Sequence, residues 1–378
     1  MDFDETIPTR IVTRRNVCTL IALLAFWFAG AIYPFLFWPR SYAKIKHLEQ
    51  ARFPENEKFK FDRHLYSNEV YAYLENFTNF YKHKAKIFTL KPSTFEGRTI
   101  KVVRLRFPKE YNNKRKGRIL VVAGVYAPVW DSVSAAIDLI HKLCEECKYK
   151  VPYLVDYEWY IIPVLNPDGY DYTLSIRDKD TDKARNPKNR VRYVTPNNPK
   201  HCYGVYIDRN FGFHWGESKK KDYNDYCWVG FAGLYPFSES ESKAFRRFVV
   251  NLYKRRQPIT MYIQLHGHIK VDGIWYPWRF TTQEPFNQPI LDAMAKGATK
   301  QVNEITGAYF THNQHSKQDM ASGVISDWLM GIMQVLYCFI VEPSYLVTNS
   351  TDVADQHLYI EKARIIVFSL TKYLLTLT

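Results

Sequence analysis

From residue 61 onward the chain alternates two kinds of apolar pattern. Short runs that are largely apolar, "GRILVVAG" (117–124), "WYIIPVLN" (159–166), "ITMYIQLH" (259–266) and "VLYCFIVE" (335–342), read as strands, as does "RTIKVVRLRF" (98–107), where basic residues interleave with apolar ones. Between them, apolar residues at helical spacing mark helices over 67–85, 132–146, 238–256, 289–306 and 353–376. Strands apolar at every position need cover on both faces, and interleaved helices supply it. The expected fold is therefore α/β: one domain over 61–378 with a central mixed, mostly parallel β-sheet and helices on both faces. No internal repeat or second boundary interrupts it. Ser238 to Glu241 spells S-x-x-E, which predicts a capping box at the start of the 238–256 helix. The polar stretch from 167 to about 237 is too long for a simple loop, so it should form a functional wall or be stapled down.

The amino end follows a different pattern. Residues 1–16 read as an N-terminal segment made basic beside the apolar run by Arg10, Arg14 and Arg15, and 17–38 are uncharged and apolar, long enough as a helix to cross a bilayer. Two readings are open: a signal peptide cleaved after the small-residue "AGA" (29–31), or an uncleaved transmembrane signal anchor. The greasy "IYPFLFWP" (32–39) is an odd mature terminus and favours the anchor. Basic residues flank both sides, so orientation has to come from elsewhere. Residues 39–60 carry charge without periodicity and read as a juxtamembrane linker.

Composition adds bounds to this picture. At 46% hydrophobic and 24% charged, the 378 residues are those of a globular protein. The net charge of +14 comes from dispersed clusters such as "NNKRKGR", "SKKKDY" and "YKRRQ". No groove-reading helix or stacking motif accompanies them, which argues against nucleic acid and leaves acidic surfaces or anionic membranes as partners. Acceptor patterns at Asn76 (NFT) and Asn349 (NST) would permit N-glycosylation in a secretory compartment. The six cysteines are Cys18, Cys144, Cys147, Cys202, Cys227 and Cys338. Cys144 and Cys147 form a C-x-x-C at a helix end; with no second pair at zinc spacing, packing is preferred over redox or metal roles.

Several segments, in order, resemble the zinc metallocarboxypeptidases of the pancreatic A/B type. They are "STFEGRTIKVVRL" (93–105), "PVLNPDGYDYT" (163–173), "CYGVYIDRNF" (202–211), "FAGLYPFSESESKAF" (231–245), "IQLHGH" (263–268) with "IWYPW" (274–278), "ASGVISDW" (321–328) and "FIVEPS" (339–344). The resemblance runs from about 61 to the carboxyl terminus. It implies a Cys202–Cys227 disulfide across the 167–237 wall, hence an oxidising lumen and a lumenal, extracellular or secreted domain. It also implies a Zn²⁺ held by His-x-x-Glu from one loop and a later His, with a Glu as proton acceptor.

Here His266 and Glu342 match, but the His-x-x-Glu loop reads Tyr126-Ala127-Pro128-Val129, and no other His lies between His83 and His141. Valine offers no lone pair, and a neutral tyrosine with a pKa near ~10 is a poor zinc ligand. His266 then reads as a core histidine rather than a ligand, no cofactor is expected, and Tyr126 is expected to fill the place of the metal. The resemblance makes Arg209 the partner of a peptide's terminal carboxylate and Arg190 the oxyanion stabiliser. Asp208 stands where the family has Asn and should pair with Arg209; Asp319 replaces a mobile tyrosine; Ser326 takes the specificity position. The reading is a catalytically inactive carboxypeptidase-like protein, a binding or structural module contacting peptide or protein C-termini or acidic surfaces. The alternative is an active zinc enzyme with replacement ligands recruited from His268, Glu342, Asp208 or Asp319.

Overall fold

In the computed structural model, residues 53–54, 58–107, 116–145, 152–176, 191–195, 198–202, 204–217, 228, 230–267, 271–344 and 353–377 are described. The apolar segment 17–38, Arg190, Cys227 with the expected disulfide, His268 and Asn349 lie outside them. Phe59–Thr378 forms one compact unit. Along the first run α1 (Ser67–Phe80), β1 (Ala85–Thr89), β2 (Lys101–Leu105), β3 (Gly117–Val122), α2 (Trp130–Glu145), β4 (Tyr157–Ile162), α3 (Pro167–Ile176), β5 (Val191–Thr195) and β6 (Asn198–Cys202). There follow α4 (Ser240–Lys254), β7 (Met261–Leu265), β8 (Gly273–Tyr276), α5 (Gln288–Thr306), β9 (Thr311–Gln314), α6 (Ile325–Gly331), β10 (Tyr337–Glu342) and α7 (Val353–Leu377). No helix among the described residues is long and apolar enough to cross a membrane.

Eight strands form one mixed sheet in the order β1-β2-β4-β3-β7-β10-β8-β9. β4, β3, β7 and β10 run parallel, as do β8 and β9, while β1–β2, β2–β4 and β10–β8 are antiparallel. Every residue of β4 and β7 is buried, so both faces of the centre are covered. α4 lays Phe248 on Tyr160 of β4 and Phe88 of β1, with ring centroids at 5.6 and 6.0 Å. α7 is tied to α2 by Arg364–Asp138 at 2.8 Å and to α5 by Ser369–Gln301 at 2.7 Å.

Several expected boundaries move, each for a visible reason. The 67–85 helix ends at Phe80, because Tyr81 caps it on the Phe77 carbonyl and then accepts from Lys84 and Ala85 in a turn. That turn releases β1, a short edge strand whose half-exposed pattern carries no strong signal. The 159–166 strand stops at Ile162, where Leu165 and Asn166 leave the ladder to bond Ala123 and Gly124. Asn166 then accepts the Gly169 N–H at 3.0 Å and starts α3, with Pro167 in the first turn. That helix and the β5–β6 hairpin occupy much of the 167–237 wall. Asn76 is exposed but sits inside α1, with the Thr78 hydroxyl buried on the Glu75 carbonyl, rather than in a loop. Cys144 and Cys338 are buried free thiols, and burial pushes Cys144 up to about 12, which makes it inert packing.

The S-x-x-E box at the start of α4 is not the cap. Ser238 turns to Glu239, and the helix entrance is held instead by Asn210, which accepts from Glu239 N–H at 3.1 Å and Ser242 Oγ at 2.6 Å. Glu241 is buried with Oε1 lacking a partner among the described residues, and burial pushes its pKa up to about 8. Its contribution to stability is therefore present in full below the unfolded value and is lost as pH rises toward about 8. Urea unfolding at about pH 6 and about pH 8.5 should show lower stability at the higher pH, and Glu241→Gln should flatten that difference. An unchanged slope in the variant would remove Glu241 as its source.

Candidate functional site

The carboxyl ends of β3, β7 and β10 open on one cleft, where chemistry in α/β sheets ordinarily sits. The loop after β3 is fixed before it gets there. Gly124 has φ +57°, and a Cβ would lie 2.9 Å from the Val164 backbone, so the turn requires glycine. Ser132 in α2 donates to the Val129 carbonyl at 2.7 Å and accepts from Gly124 N–H at 3.2 Å. Thr173 of α3 holds the Ala127 carbonyl at 3.0 Å. Thus held, Tyr126 sets its ring 5.0 Å from that of His266 and 5.7 Å from Tyr206, while Val129 is buried.

His266 is the first residue beyond β7. Its N–H reaches the Val341 carbonyl at 2.9 Å and its carbonyl accepts from the Tyr359 hydroxyl of α7, so its backbone is locked. Its Nδ1 lies 3.2 Å from Glu342 Oε1, close enough for an ion pair with a protonated ring but not aligned as a hydrogen bond. Glu342 Oε2 accepts from Trp275 Nε1 at 2.6 Å and Gln318 Nε2 at 3.4 Å. Burial opposes ionisation of Glu342, but the His266 ring, His315 and Arg279 outweigh it and hold the carboxyl well below the usual range. Burial, and then Arg279, push His315 far below an ordinary histidine, so that ring is neutral at pH 7. Contact with the His266 ring is the largest of the influences holding Glu342 ionised, with His315 and Arg279 adding to it.

These side chains do not fit a three-ligand zinc. The position facing His266 from the β3 loop is an aromatic ring, the next candidate is a buried valine, and Glu342 lies against the one imidazole. Among the described residues no three His, Cys, Asp or Glu converge as a metal would need. Two of the proposed substitutes are already committed. Asp208 accepts from Ile325 N–H at 3.0 Å and Gln264 at 3.4 Å, and Asp319 accepts from Arg279 Nη2 at 3.1 Å.

The other end of the cleft is ionic. Arg209 and Arg279 are buried, and both approach Asp319 Oδ2, at 3.6 and 3.1 Å. Asp208 does not pair with Arg209 as expected: its carboxylate turns to the first turn of α6, with Arg279 Nη1 at 3.8 Å. The reason is that Asp208 Oδ1 meets the Ile325 N–H, which a helix start leaves free, while Oδ2 takes Gln264 Nε2. Burial pushes Asp327 up to about 7 against the Arg279 and Phe280 N–H groups that it accepts. Ser326 is buried beside it in α6. Gly323, at φ +71°, carries the loop past Arg209, whose carbonyl would lie 2.5 Å from a Cβ there.

The structure thus brings together Tyr126, His266, Glu342, Asp208, Arg209 and Asp319. Sequence reasoning missed Arg279, His315, Trp275, Tyr206 and Gln318. Trp275 and Tyr206 lay inside motifs already singled out, whereas nothing in the local pattern distinguishes Arg279 or His315 from surface residues.

The zinc carboxypeptidase family profile matches residues 70–345. Zinc carboxypeptidase A 1 of Drosophila melanogaster is 29% identical over 256 residues, covering 66% of this chain and 55% of that protein. Inactive metallocarboxypeptidase ECM14 of Saccharomyces cerevisiae is 29% identical over 263 residues, 68% of this chain and 57% of the relative. The chain thus spans little more than half the length of these two relatives. Among solved structures, carboxypeptidase A from Helicoverpa armigera superposes with a TM-score of 0.69 at 22% identity, over 92% of this chain and 85% of that one. Bovine thrombin-activatable fibrinolysis inhibitor, in complex with tick carboxypeptidase inhibitor, gives 0.69 at 22% over 84% and 99%. At that identity the superpositions speak for the fold alone.

Proposed function

This chain belongs to the zinc carboxypeptidase family, and from that premise we propose that it has lost catalytic zinc and serves as a binding or structural module. The observation that carries the reading is the Tyr126 ring against His266, with a buried Val129 in the same loop, at the two positions where a carboxypeptidase needs its other zinc ligands. Relatives named as inactive metallocarboxypeptidases in Saccharomyces cerevisiae and Schizosaccharomyces pombe support it. Peptide or protein C-termini are the ligand class that the buried Arg209 suits. The apolar segment 17–38 anchors the protein, or directs its export, so that the domain lies in the secretory lumen or outside the cell. In that setting Cys202 and Cys227 form a disulfide, and Asn76 and Asn349 are available for glycosylation.

Elemental analysis of the purified protein is expected to find less than about 0.1 zinc per chain, since a single imidazole gives no adequate site. Blocked dipeptides should not be hydrolysed above background. Near-stoichiometric zinc, together with hydrolysis that Glu342→Gln abolishes, would overturn the reading in favour of an active enzyme with recruited ligands.

A further inference from the structure

Arg209 is an incompletely satisfied cation. Its side chain is 8% exposed, and its Nε and Nη1 are buried without a hydrogen-bond partner among the described residues. Its faces are covered, by Trp228 at 4.8 Å and Tyr206 at 5.5 Å from the ring centroids. The two edges by which a guanidinium grips a carboxylate with paired donors are Nε with Nη2 and Nη1 with Nη2; each has one unmet donor here, and Nη2, common to both, faces Asp319. Asp208, the acid next to it in the chain, is turned away to Ile325 N–H.

A second guanidinium completes the cradle. Arg279 Nη2 donates to Asp319 Oδ2 at 3.1 Å and its Nε to the Asp319 carbonyl at 3.3 Å, while Arg209 Nη2 stands 3.6 Å from the same Oδ2. The acid sits at the mouth, 37% exposed, and the two arginines form the floor, 8% and 11% exposed. The segment bearing it is fastened at its ends, by Asp319 N–H to the His315 carbonyl and Ala321 N–H to the Arg279 carbonyl. Its side chain therefore reaches in from a fixed turn. At 3.6 Å its hold on Arg209 is looser than a hydrogen bond.

We propose that Asp319 is a tethered carboxylate occupying, in cis, a two-arginine cradle formed by Arg209 and Arg279, which a ligand's free carboxylate enters only by displacing it. This goes beyond the loss of zinc and does not depend on it, because the ion pairs of Asp319 are with Arg209 and Arg279 and not with His266 or Glu342. The device makes the cleft self-closed: an incoming peptide terminus gains paired donors on Arg209 but must break the Asp319–Arg279 bond.

Calorimetric titration of the full chain with N-acetylglycine and with its amide tests this. Wild type is expected to bind acid and amide within about twofold of each other. Asp319→Asn, which keeps the shape and removes the charge, should prefer the acid by at least about tenfold. Arg279→Gln in that background should reduce the preference, since it removes the second guanidinium. If Asp319→Asn lowers the melting temperature enough to prevent titration, Asp319→Ser gives the same readout. A wild-type protein that already prefers the acid tenfold, or a variant with no acid preference, overturns the proposal. Zinc content, which decides the reading above, does not enter this comparison.

Discussion

Asn210→Ala should destabilise the domain by about 3–5 kcal/mol, the largest loss expected from any single polar truncation here. The residue is fully buried and its amide serves five partners. Nδ2 donates to the carbonyls of Ala232 (2.7 Å) and Tyr235 (3.2 Å) and to Ser238 Oγ (2.9 Å), while Oδ1 takes the Glu239 N–H and the Ser242 hydroxyl. Some of these groups have second partners: Trp215 also donates to Ala232, and Ser242 also reaches the Glu239 carbonyl. The Tyr235 carbonyl likewise takes the Ser238 N–H at 3.1 Å, but losing five contacts from one fully buried amide costs more than a single typical hydrogen bond contributes. Asn210→Asp keeps the acceptors but buries a second acid beside Glu239, itself 1% exposed, so it should not rescue. Denaturant midpoints measure both. A loss under about 1 kcal/mol for the alanine would mean that the network is not what anchors α4 and the Arg209 segment.

That network marks where the sequence stops being legible. Asn210 lies in "IDRNF" and Ser238 in the S-x-x-E pattern, and the local rule assigned the cap of α4 to the second. The winner is a residue 29 positions from Glu239, delivered by tertiary folding that no local pattern encodes. The central strands were readable because burial on both faces leaves them apolar throughout, and the sheet centre is the part least dependent on turn chemistry. Edge strands β1 and β9 were not, since each is short and partly exposed. At the site the same division holds. The absence of ligating side chains at Tyr126 and Val129 follows from residue type alone. The capture of Asp319 by two arginines does not, because Arg279 gains its role only where β8, β9 and the α6 loop converge.

Tyr126→His combined with Val129→Glu should convert the cleft into one that takes up about one zinc per chain, where wild type takes up almost none. The variant supplies an imidazole and a carboxylate from a loop already held by Ser132 and Thr173, opposite a His266 whose backbone is locked on both sides. The same change carries a cost that makes the test sharp. Val129 is 1% exposed, so a glutamate there without a cation is a buried charge with no partner. In chelator the double variant should therefore melt below wild type, and zinc at about 1,000 times its dissociation constant should restore about 4 kcal/mol. Wild type should show no zinc-dependent shift in the same scans. Tyr126→His alone, with two imidazoles and no third donor, should bind more weakly than the pair. If the double variant melts low and zinc fails to raise it, then side-chain chemistry at these two positions is not what withholds the metal, and Tyr126 is merely one of several changes that have closed the cleft.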